Sequence, residues 1–255
     1  VVLFLAGCQP NPSTLPGEDY VQLRQEIVSE FSSRTPKLWS EVVPGVKTRL
    51  DTKDRVIALT LDACGSTNDG YDAELIDYLI ANKIKATLFI NARWIDKNLQ
   101  AFKQLAANPL FEIENHGMMH KPASVNGNSA FGIAGTDNPG ELVDEIELNA
   151  GKIEELTGRR PHSYRSGTAF YDEVALDIIQ ALGYEAVGFS ILGDKGATYS
   201  KEEIREALLT SQPGSIIICH MNHPEKETAE GLKMALPELK RRGFIFVKLS
   251  EYKLN

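Results

Sequence analysis

What this chain has little of narrows its class before any motif does. Its 255 residues include three cysteines, too few for a dense disulfide framework, so stability must come from an apolar core. Lysine and arginine total 27 against 35 aspartates and glutamates, a formal net charge of -8 with no extended basic cluster. That balance leaves no electrostatic footprint for nucleic acid, whose binding surfaces need grouped cations. No internal repeat or low-complexity tract occurs, which excludes solenoids and disordered arrays. Histidine is scarce, five in all, so two at a regular spacing carry weight. The 42% hydrophobic content is enough for one substantial core, and one domain is expected.

The most apolar stretch is Val1-Val2-Leu3-Phe4-Leu5-Ala6-Gly7-Cys8. Leu5-Ala6-Gly7-Cys8 resembles the lipobox of bacterial lipoproteins, in which the cysteine becomes the lipidated first residue. On that reading residues 1–7 are a signal-peptide remnant and residues 8–17 are the lipidated Cys8 and a proline-rich linker. Residues 18–54 hold an N-terminal helix and lead-in, and residues 55–255 form the main domain. The expected address is the bacterial cell envelope, facing the periplasm or exterior, with membrane attachment through the Cys8 anchor rather than a span. Cys64 and Cys219 then remain, either as a disulfide at the floor of a pocket or, the preferred reading, as small buried residues at strand ends.

From Arg55 onward strands alternate with helices. Strands are expected at Arg55–Leu61, Lys85–Ile90, Phe111–Glu114, His162–Arg165, Tyr184–Ser190, Ser215–Cys219 and Phe244–Leu249. Helices are expected at Glu18–Ser33, Asp72–Asn82, Asp96–Ala107, Glu141–Thr157, Asp172–Leu182, after the Ser200/Glu203 capping box, and at Thr228–Arg242 with a kink at Pro237. The alternation predicts a single α/β domain, a distorted (β/α) barrel of about seven parallel strands with outer helices. Functional residues should gather where strands end. Asp62, His116, Arg165, Asp194 and His220 all fall there.

Each has a plain reading and a chemical one. His116 and His120 are four apart, a spacing that sets two imidazoles on one face of a helical turn and suits one metal ion. Asp62 ends an apolar strand, as a turn or capping aspartate or as a site carboxylate. Arg165 makes an ordinary ion pair or holds an aspartate ionised. His220 leaves a buried strand, as a core histidine or as an acid, and Asn222 and His223 shape the following loop. Trp94, Phe131, Phe170 and Tyr171 are candidates for stacking on sugar rings, or core.

The order of these segments is similar to the polysaccharide deacetylase family, carbohydrate esterase family 4, over about Val56–Tyr252. Thr60-Leu61-Asp62-Ala63-Cys64-Gly65 resembles its Thr-Phe-Asp-Asp-Gly motif, His116 and His120 its paired histidines, Arg165 its Arg-x-Pro-Tyr, and Ile217–His220 its Leu-x-x-His. The resemblance implies metal-dependent removal of N-acetyl groups from an amino-sugar polymer, most economically peptidoglycan. Asp62 would be the general base, Arg165 its partner, His220 the general acid, and Asp194 the residue that orients His220. His116, His120 and Asp62 would hold a divalent metal, Zn2+ by preference, with Co2+, Ni2+ or Mn2+ as alternatives. Trp94, Phe131 and Tyr171 would bind substrate. The chain departs from the family at Ala63, which stands where the third metal ligand is expected, leaving Asp62, Cys64, Asp69, Asp72 or a water to fill the gap. Gly167 and Thr168 replace the Pro and Tyr, and Gly193-Asp194-Lys195-Gly196 keeps one carboxylate of the fourth motif and no tryptophan.

Overall fold

The computed structural model describes residues 17–255; the expected leader and Cys8 lie outside the described residues. Helix α1 (Glu18–Phe31) buries Ile27 and Phe31. It is followed by β1 (Val56–Ala63), α2 (Ala73–Ala81), β2 (Ala86–Ile90), α3 (Ala92–Lys97), α4 (Leu99–Ala107) and β3 (Phe111–Asn115). A small hairpin of β4 (Ser129–Ala130) and β5 (Ile133–Ala134) precedes α5 (Pro139–Thr157), β6 (Ser163–Tyr164), α6 (Glu173–Ala181), β7 (Glu185–Ala186) and β8 (Ile191–Leu192). The chain ends with α7 (Lys201–Leu208), β9 (Ser215–His220), α8 (Thr228–Arg241) and β10 (Ile245–Val247).

Local chemistry accounts for the element ends. Asp72, Asn138 and Asp172 accept hydrogen bonds from the free N–H groups of Leu75, Glu141 and Ala175 at the starts of α2, α5 and α6, and Ser200 with Glu203 forms the expected capping box. Gly158 ends α5 at φ +70°, a conformation that suits glycine. The single helix expected from Asp96 is two, α3 and α4, broken at Asn98 (φ −124°, ψ 36°). Helix α8 runs through Pro237 without interruption.

The main sheet has the order β7-β6-β3-β2-β1-β9-β8, with β10 paired to the first half of β1, and every pairing in it is parallel. The strand expected at Tyr184–Ser190 divides into β7 on one edge and β8 on the other. Val187 N–H bonds to Tyr164 at 2.9 Å and Ser190 N–H to Ile216 at 2.9 Å, so this run links both edges and the sheet curls into a half-barrel. Gly188 sits at the crossing, where a Cβ would meet Val46 at 2.9 Å.

Strand alternation sorts the residues that follow. In β1, Ile57, Leu59, Leu61 and Ala63 join the cluster beneath α2, α4, α7 and α8, whereas Val56 and Ala58 pack inside the barrel. In β9, Ile217 and Cys219 face the helices and Ile216 the interior. Asp62 and His220 therefore share the inner face. They are register partners across the β1–β9 pair, both near the C-terminal rim of the sheet.

Candidate active site

Asp62 is the centre of the rim. Its Oδ1 accepts from Arg165 Nη1 at 2.6 Å, and the same nitrogen donates to Thr60 Oγ1 at 2.9 Å. Arg165 is wholly buried; Nε and Nη2 donate to the carbonyls of Val187 and Gly188 at 3.2 and 2.8 Å, and its guanidinium lies 4.1 Å over the Phe89 ring. Four donor contacts, one of them to a carboxylate, thus compensate a charge that would be costly alone.

His116 follows β3. Its Nδ1 lies 2.8 Å from the Arg165 carbonyl, which can only accept, so Nδ1 carries the proton and the Nε2 lone pair faces the pocket. Nε2 stands 3.6 Å from Asp62 Oδ2 and 3.7 Å from Cys64 Sγ. The His120 ring meets that of His116 edge-on, centroids 4.7 Å apart. Burial pushes both imidazoles below their usual pKa, His120 strongly, which keeps them neutral and able to ligate. Burial, together with the nearby Asp62, Asp69 and Asp194, pushes the Cys64 thiol up.

The two histidines do not lie on a helical turn as their spacing suggested. Residues 116–121 form an irregular loop with Gly117 and His120 at φ +76° and +61°. Glu145 of α5 shapes it: the carboxylate accepts from Met119 and Lys121 N–H and the Glu145 carbonyl from Met118 N–H, all within 3.0 Å. Asn91 Nδ2 binds the carbonyls of His116 and Gly117 at 3.1 and 2.7 Å. A Cβ on Gly117 would meet Glu145 Oε1 at 2.3 Å, so this glycine is needed for both its backbone angle and its clearance.

His220 approaches from the opposite side. Its Nδ1 bonds to Asp194 Oδ1 at 2.8 Å, while Asp194 Oδ2 accepts from His220 N–H and Thr228 Oγ1 at 2.7 and 3.0 Å. Burial opposes the charge on His220, but Asp194 overcomes it and lifts the imidazole to about 9. Burial likewise opposes ionisation of Asp194, and the His220 pair prevails and lowers it.

Asp62, Cys64, His116, His120 and His220 line one cavity of about 600 Å³, with Phe131 on its wall. Trp94 and Tyr171 are not brought to it. Trp94 is buried in the helix-facing cluster with Nε1 on the Gly70 carbonyl at 2.7 Å, and the Tyr171 hydroxyl is held inside the fold by Val187 and Ser166. Phe131, 79% exposed, tips the β4–β5 hairpin, edge-on to Phe170, which in turn meets Trp39, both at 5.6 Å. Trp39 Nε1 donates to Ser129 in the hairpin at 3.2 Å. Trp39 and Glu145 carried no sequence signal: one lies in the irregular lead-in, the other amid acidic helix residues. Asp72 caps α2, and Asp69 is held by Ser66 and stands 3.7 Å from His223.

A parallel half-barrel with two neutral imidazoles, a buried Asp–Arg pair and an opposed His–Asp pair at its rim has the parts of a hydrolase that activates water. The polysaccharide deacetylase family model matches residues 49–187, and the chain belongs to that family of deacetylase hydrolases. A peptidoglycan-N-acetylglucosamine deacetylase of Bacillus cereus is 25% identical over 202 residues, covering 78% of this chain and 88% of that one. A family 4 pseudoenzyme from Bacillus anthracis superposes with a TM-score of 0.68 at 18% identity, over 83% of this chain and 69% of its own; a mutant of it has restored activity. A family 4 acetyl xylan esterase from Clostridium thermocellum, in complex with a cobalt ion, has a TM-score of 0.61 at 24% identity, over 77% and 89%.

Proposed function

We propose that this chain is a metal-dependent hydrolase that removes N-acetyl groups from an amino-sugar polymer, peptidoglycan before others, while tethered in the bacterial envelope through Cys8. The observation that carries the reading is the convergence in one cavity of neutral His116 and His120, the Asp62–Arg165 pair and the charged His220–Asp194 pair. The donor set fits a divalent cation, Zn2+ by preference: buried neutral imidazoles, one with its far nitrogen already hydrogen-bonded to a carbonyl, are what such an ion requires. A bound ion supplies an acidified water and a polarised acyl carbonyl.

The remaining steps belong to the chain. Arg165 holds Asp62 by one oxygen and turns the other toward the cavity, where it receives the water's proton as general base. His220, charged at neutral pH, donates a proton to the departing amine, and Asp194 fixes the ring so that Nε2 faces the cavity. Acetate and a free amine result. The exposed Phe131, with Phe170 and Trp39 behind it, provides an aromatic wall suited to the apolar face of a sugar ring. The peptidoglycan assignment rests on the Bacillus cereus relative and on the lipobox.

The test is acetate release from peptidoglycan and N-acetylglucosamine oligomers with zinc and with a chelator. Chelator-sensitive release that falls about a hundredfold or more in Asp62→Asn is expected, the general-base share of such a reaction. Ala63 and the fold shared with a pseudoenzyme support a second reading, a non-catalytic wall-binding protein. Absence of release from every acetylated polymer, acetylated xylan included, with zinc, cobalt, nickel or manganese, would replace the first reading by the second.

A further inference from the structure

We infer that Cys64 is the third protein ligand of the metal site, so that the ion is held by one thiolate and two imidazoles. The inference deepens the hydrolase reading above and rests on it for the presence of a metal. Four observations carry it. The first is strand parity. Ala63 faces outward with Leu61 and Trp94 in the helix-facing cluster and is fully buried, so a side chain there points away from the cavity. The next residue, Cys64, returns to the face of Asp62 and lines the cavity.

The second is distance. Cys64, His116 and His120 offer donor atoms all within 4.8 Å of one another, the group among the described residues able to share one ion. The third is occupancy of the alternatives. Asp69 is held by Ser66, Asp72 caps α2 and Asp194 is bound to His220, while Asp62, with one oxygen on Arg165 and the other 3.6 Å from His116 Nε2, falls outside the group of donor atoms that lie within 4.8 Å of one another. The fourth is anchoring. Gly65 lies so close to Asn91 that a Cβ would meet its Oδ1 at 2.4 Å, and Asn91 also holds the His116 and Gly117 carbonyls. Asn91 N–H donates to the Ala63 carbonyl at 3.0 Å, so one residue ties the strand end before Cys64 to the first histidine.

When the ion binds, the S–H proton passes to solvent and a sulfur–metal bond forms. A thiolate in place of a carboxylate makes the site softer, favouring zinc, cobalt and cadmium over manganese. It also leaves Asp62 free of the metal to act as base.

The experiment is cobalt titration of the full-length chain, stripped with chelator and followed by near-ultraviolet absorption, where thiolate-to-cobalt charge transfer is read. A band that saturates at one ion per chain is expected, retained in Cys219→Ser and lost in Cys64→Ser. On the unmutated chain, zinc should slow alkylation of Cys64 by about tenfold or more, read by peptide mass, which needs no variant to fold. Cobalt bound without the charge-transfer band, or a band that survives Cys64→Ser, overturns the ligand assignment and leaves the hydrolase reading standing. A band without acetate release from any polymer supports Cys64 and overturns the hydrolase. No cobalt bound at all overturns both.

Discussion

Arg165 has no exposed surface, and the partners that make its charge tolerable are the carboxylate of Asp62 and the oxygens of Thr60, Val187 and Gly188. Losing one partner of such a pair strands the other. The His220–Asp194 pair gives a pH prediction at the same scale. His220 is raised to about 9, so its contribution to stability is complete below the unfolded value near 6.5 and is lost as pH rises through about 9. Asp194 is depressed, so its contribution is present above the unfolded value of 3.8 and lost as pH falls through the lower folded one. The two describe one interaction. The stability advantage of the native chain over Asp194→Asn, followed by thermal unfolding, should be greatest near pH 5–6, on the order of 3 kcal/mol, and shrink steadily toward pH 9. An advantage that grows with pH would contradict the charged pair.

At the scale of elements, strand alternation governs what each side chain can reach. Cys219 faces the helices and Cys64 the cavity, and both are free thiols, so the disulfide weighed from their positions does not form. The same parity makes a prediction at Ala63. Ala63→Asp should not add a ligand; its carboxyl would enter an apolar helix-facing layer and lower stability by about 3 kcal/mol or more, with no gain in zinc affinity. Denaturant unfolding and zinc competition measure both, and tighter zinc binding at unchanged stability would refute the parity argument. Strands and helix starts were legible from the sequence because capping side chains and buried apolar runs are local signals: Ser200 caps where expected, and the helices expected from Asp72 and Asp172 start there, with those side chains as the caps. The division of the Tyr184–Ser190 strand was not, because its residues are all strand-compatible and only the closing of the sheet decides which edge each part meets.

For the whole molecule, the cavity exists only when the ends of β1, β3 and β9 are brought together, since Cys64, the His116–His120 pair and His220 are distant from one another in sequence. A cation held there is bound by the folded chain, so zinc should stabilise the chelated protein by about 2.7 kcal/mol at a hundred times its dissociation constant, seen as a higher melting temperature. Calorimetry with and without zinc tests this; an unchanged transition would mean no folded-state site. Among the described residues no helix is long and apolar enough to cross a membrane.

By itself the sequence determined the alternation of strands and helices, the rim position of Asp62, His116, Arg165, Asp194 and His220, and the family, because burial pattern, capping and motif spacing are written in neighbouring residues. Only the tertiary structure decided that Trp94 and Tyr171 belong to the core, that Glu145 and Asn91 shape the histidine loop, and that Cys64 rather than Ala63 shares a face with the imidazoles. Those outcomes depend on which segments pack together through space, and spacing along the chain does not encode that.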